Sequence, residues 1–78
     1  MLQWRYRVEM MRAHSAEVFW EPSRKSWIVR IQAGEEAIRR ACKDAKRDTT
    51  DDALRSLAIQ TAQDEGYELA LDVVSVRR

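Results

Sequence analysis

His14, Cys42 and the aspartates Asp44, Asp48, Asp51 and Asp52 are the residues best suited to catalysis or metal binding in this 78-residue chain. Their spacing decides what they can do. His14 stands alone beside Ser15, with no cysteine or second histidine at metal-ligand spacing, so a solvated loop histidine is expected. Cys42 falls on an apolar stripe, where a free cysteine behaves as a small hydrophobe. A thiol nucleophile needs a partner base, and His14 is the only histidine that could serve as one. The aspartates read most simply as acids near a helix N-terminus, where the backbone dipole favours negative charge. The chain has neither the repeated aspartates of a calcium loop nor a Gly-x-Ser-x-Gly turn, and its two glycines leave little material for a phosphate-binding loop. No catalysis, cofactor or metal is expected, which leaves binding.

The elements that would carry a binding surface are legible in part. From residue 2 to residue 10, Leu2, Trp4, Tyr6, Val8 and Met10 alternate with Gln3, Arg5, Arg7 and Glu9, the period-2 pattern of a half-buried strand. Segments 17–20 and 27–32 are rich in aromatic and β-branched residues and flank a polar stretch containing Pro22. Proline fixes φ near −65° and suits the second position of a type I turn, so a hairpin with loop 22–25 is predicted. That loop sets a register. Trp20 stands opposite Trp27, Val18 opposite Val29 and Ala16 opposite Ile31 on one face, with Phe19 opposite Ile28 and Glu17 opposite Arg30 on the other.

After Gly34 the stripe Ala37, Ile38, Ala41, Cys42 and Ala45 has helical spacing, with Glu35 and Glu36 at its start and Lys46 and Arg47 at its end. A helix over 35–47 is predicted, its small residues packing against the tryptophans. A second helix over 51–65 carries Leu54, Leu57, Ala58, Thr61 and Ala62 on one side, with a capping box from Thr49 to Asp52 and a C-terminal cap at Gly66. One unbroken helix over 35–65 would span about 45 Å at 1.5 Å per residue. A compact chain of this size has a radius of gyration of only ~12 Å, so a break over 48–50 is expected. Residues 67–76 return to a strand, with Leu69, Leu71 and Val73 inward and Ala70, Asp72, Val74 and Val76 outward. The expected fold is a single α+β domain over 1–78: a four-stranded antiparallel sheet with two helices packed on one face, in the order βββααβ.

Fourteen basic and thirteen acidic side chains leave a net charge of +1, so no global field attracts nucleic acid or an anionic membrane. The balance is uneven: residues 1–32 hold six Arg or Lys against three Glu, and 34–65 hold more acids than bases. No run approaches the ~20 apolar residues of a membrane helix and the first residues lack an apolar leader, so a cytoplasmic protein with a reduced thiol is expected. Chains below about 80 residues usually need a disulfide, a metal or a partner subunit to stabilise their core. The single cysteine removes the first of these, so a homodimer is expected.

The outer sheet face is the most informative surface. It is expected to carry Phe19, Ile28, Val74 and Val76 with Arg30, an apolar cluster rimmed by arginine of the kind found at contact surfaces. The leading expectation is a small non-catalytic interaction module that dimerises through this face or binds another protein. The alternative is nucleic-acid binding, with Arg5, Arg7, Arg24, Lys25, Arg30 and Gln32 meeting phosphates while an aromatic stacks on a base. Segment 27–65 resembles a ribbon-helix-helix DNA-binding unit: a strand Val29-Arg30-Ile31-Gln32, a helix, a polar turn with Thr49 and Thr50, and another helix. The resemblance implies that Arg30 and Gln32 read the major groove. The chain departs from that family in having two strands before the unit and one after it.

Overall fold

A computed structural model describes residues 11–78; the strand expected over 2–10, with Arg5 and Arg7, lies outside the described residues. The centre of the fold is the predicted hairpin. Strands β2 (Ser15–Glu21) and β3 (Ser26–Ala33) pair antiparallel in the anticipated register, with Trp20 opposite Trp27, Val18 opposite Val29 and Phe19 opposite Ile28. Loop 22–25 closes through Arg24 N–H to the Glu21 carbonyl and Lys25 N–H to the Pro22 carbonyl, both 3.2 Å, with Lys25 at φ 52°.

The helix predicted over 35–47 does not form. Instead β4 (Glu36–Cys42) pairs antiparallel with β3, placing Cys42 opposite Trp27, Arg39 opposite Arg30 and Ile38 opposite Ile31. Ala33 stands opposite Glu36, so Gly34 and Glu35 form a two-residue hairpin loop, and Gly34 has φ 61°. A positive φ at the first loop residue is what a type II′ turn requires, and glycine adopts it at no steric cost. As a strand, the segment alternates just as well: Ile38 and Cys42 pack on the core while Ala37, Arg39 and Ala41 face away. The ribbon-helix-helix resemblance fails at this point, because its first helix is a strand.

Only one α-helix is present among the described residues, α1 (Asp51–Asp64). Thr50 rather than Thr49 caps it, its hydroxyl accepting from Ala53 N–H at 3.2 Å, while Thr49 Oγ1 donates to the Lys46 carbonyl. Gly66, at φ 89°, ends the helix with its N–H on the Gln63 carbonyl at 3.0 Å. Leu54, Ala58 and Ala62, one per helical turn, are fully buried against the sheet. The small-against-large packing expected of the missing helix is therefore made by this one, with two alanines facing a sheet that carries the buried Trp27.

The chain then forms β5 (Tyr67–Glu68), a 3₁₀ turn (Leu71–Val73) and β6 (Val74–Arg77). The sheet order is β4-β3-β2-β6, and β6 runs parallel to β2, so the sheet is mixed rather than antiparallel. A separate two-residue strand β1 (Met11–Arg12) pairs parallel with β5. The 3₁₀ turn changes the phase of the last strand. Val74 and Val76 stand beside Ala16 and Val18 on the helix-covered face, and Leu71 is 56% exposed; Leu69 is buried as expected. No described helix is long and apolar enough to cross a membrane.

Candidate nucleic-acid interface

α1 covers one face of the sheet, and no described helix covers the other. Pleating alternates side chains between faces, and the registers place two rows across the outer one. One row reads Arg39, Arg30, Glu17 and Ser75 from β4 to β6; the next reads Ala41, Ile28, Phe19 and Arg77. Gln32 continues the line of Arg30 along β3. Arg30, Arg39 and Arg77 are exposed, and Phe19 is half-buried.

The arginines gather around the aromatic ring. The Arg39 guanidinium lies 5.9 Å and that of Arg77 5.6 Å from the Phe19 ring centroid, within cation–π range. Arg39 therefore reaches from β4 past β3 toward the Phe19 ring on β2. Ile28, on the same face, is only 2% exposed. Arg77 Nε also lies 3.2 Å from Glu17 Oε2. Arg30 and Arg39 stand directly opposite each other, with no described carboxylate in salt-bridge range of either.

The residues anticipated for this surface are divided by the fold. Phe19, Ile28, Arg30 and Gln32 share the outer face, with Ile28 buried; Val74 and Val76 belong to the opposite face and pack with the core. Gln32 turns its amide to the Gly34 carbonyl at 3.0 Å. Arg24 and Lys25 occupy the hairpin loop at the far end, where Arg24 Nε is 3.8 Å from Glu21 Oε1. Arg39 and Arg77 escaped the sequence reading. The signals that could have found them are the alternation Ala37, Arg39, Ala41 after a glycine turn, and Arg77 closing the alternating run Val74-Ser75-Val76-Arg77.

His14 and Cys42 are separated by the sheet. Cys42 stands opposite Trp27, whereas His14 N–H donates to the Gln32 carbonyl, five residues further along β3. That is about 17 Å at ~3.3 Å per residue, which precludes a thiol–imidazole pair. Burial pushes the Cys42 thiol pKa up, opposed by a hydrogen bond with the Thr61 side chain and reinforced by Asp44. His14 lines an open groove of about 540 Å³ with Arg12, Glu68 and Asp72 among its other walls. No group of three or more His, Cys, Asp or Glu suited to a metal ion occurs among the described residues. In comparisons with known proteins, no family model, no curated protein and no solved structure matches this chain.

Proposed function

We propose that this chain is a nucleic-acid-binding protein that uses its outer sheet face. The observation that carries this reading is the direct opposition of Arg30 and Arg39, with Arg77 nearby and Glu17 the only carboxylate in the two rows. Like charges opposite one another on a sheet are destabilising, by an amount of the order of 0.2–1 kcal/mol. A phosphate bound between the two guanidiniums reverses the sign of that term. Arginine also suits the task because its planar fork donates two hydrogen bonds to one phosphate.

The expected sheet-to-sheet homodimer has less behind it. With Val74 and Val76 turned to the helix and Ile28 already covered, little apolar surface is left on this face for a second copy to bury. Two such faces would also bring the three arginines of each copy together with one Glu17 apiece. Repulsion of that kind opposes association.

The test is binding of a labelled oligonucleotide followed across a salt series. Each phosphate neutralised on a single strand contributes about −0.7 to the slope of log K against log salt. Replacing Arg30, Arg39 and Arg77 together with alanine is expected to weaken binding and to flatten the slope by about 2. Absence of binding at low salt, or an unchanged slope in the triple variant, removes the reading.

A further inference from the structure

We infer that the nucleic acid this face takes is single-stranded, with a base stacked on Phe19 and the adjoining phosphates held by Arg30 and Arg39. The inference rests on the nucleic-acid reading above and narrows it by shape. A duplex is read in its major groove, about 12 Å wide, by a helix or a two-stranded ribbon. The outer face offers neither. Its four strands, spaced about 4.8 Å apart, put the edge-strand axes about 14 Å from each other before any side chain is added. The one described α-helix lies on the opposite side, where Leu54, Ala58 and Ala62 are committed to the core.

A broad platform with an aromatic on an inner strand suits unpaired bases, because every base has a π-face and stacking needs no groove. Phe19 is placed for it. It lies half-buried on β2 between β3 and β6, with the Arg77 and Arg39 guanidiniums 5.6 and 5.9 Å from its ring centroid. Those guanidiniums hold the ring in position and are long enough to turn onto phosphates as a base arrives. The row Arg39, Arg30 runs beside the row that contains Phe19, so base and backbone contacts fall side by side.

The experiment compares a single-stranded oligo(dT) of about twelve nucleotides, within the usual site size for such platforms, with a duplex of equal length, by fluorescence anisotropy at low salt. The single strand is expected to bind more tightly. Phe19→Leu keeps an apolar residue opposite Ile28 but removes the π-face, and it is expected to weaken single-strand binding by about 5- to 150-fold, the range of one lost base stack. Phe19→Trp is expected to stay within about 3-fold of the parent, because it keeps a π-face. Circular dichroism melts confirm that both variants fold. Duplex binding as tight as single-strand binding, or a Phe19→Leu variant that binds like the parent, overturns the single-strand inference and leaves the broader proposal standing. Single-strand binding abolished by Arg24→Ala with Lys25→Ala locates the contact in the hairpin loop and overturns the inference together with the sheet-face reading. Failure to bind either oligonucleotide removes both.

Discussion

Replacing Trp27 with alanine is the most demanding test of how this sheet and helix are held together. Trp27 is fully buried, meets Trp20 edge-on with ring centroids 5.4 Å apart, and donates its indole N–H to the Lys46 carbonyl at 2.7 Å. Truncating a buried aromatic to alanine costs about 3–5 kcal/mol from lost transfer energy and the cavity left behind. The hydrogen bond adds little beyond its net worth of about 1 kcal/mol, because Lys46 O also accepts from Thr49 N–H and Thr49 Oγ1 and is not orphaned. At about 0.05–0.15 kcal/mol per residue, a chain of 78 residues has roughly 4–12 kcal/mol in total. The alanine variant should therefore lose a third or more of its stability, and at the lower end unfold. Trp27→Phe retains most of the apolar volume, loses the hydrogen bond, and should cost about 1–2 kcal/mol. Urea denaturation followed by far-ultraviolet circular dichroism measures both. An alanine variant within 1 kcal/mol of the parent would refute the placement of Trp27 at the centre of the core.

Two further outcomes follow from the described geometry. Val74→Asp puts a carboxylate into the core beneath α1, beside Arg55, and should destabilise by about 1–3 kcal/mol, whereas Leu71→Asp at an exposed site should stay within about 0.5 kcal/mol; the reverse order in thermal melts would refute the phase of the last strand. Cys42 has a thiol pKa raised above its ordinary value of 9.0, chiefly by burial. The unfolded thiol thus ionises first, so the contribution of Cys42 is fully present below pH 9.0 and is lost as pH rises through the folded value. Denaturation curves of the parent should weaken over that alkaline range more than those of Cys42→Ala. Equal slopes would refute the assignment.

The hairpin was legible because its information is local. Proline at position 22 limits the turn, the turn limits the register, and a one-residue slip would exchange Val18 and Val29 with Phe19 and Ile28 between faces. α1 was legible for a similar reason, since its stripe, its threonine-rich start and its terminal glycine all lie within a few residues of the backbone they satisfy. The candidate site was legible only in its centre, Phe19 and Arg30. Its flanks come from β4, whose spacing fits a helix as well as a strand, and from β6, whose phase is set by the 3₁₀ turn before it.

What the residues alone determined is thus the pair of elements whose ends are marked by proline, glycine and caps. Tertiary structure decided the rest. Segment 36–42 has a pattern compatible with both periods: Ile38 and Cys42 are four apart, which suits a helix, and they also lie on the same side of a strand. The available edge of β3 resolves it, because pairing there satisfies β4 backbone groups and extends the sheet beneath the tryptophans. Likewise the 3₁₀ turn at 71–73 shifts which valines point inward, and β6 is parallel because α1 returns the chain to the far side of β2. Both outcomes depend on contacts between residues far apart in sequence, and periodicity within one segment carries no record of them.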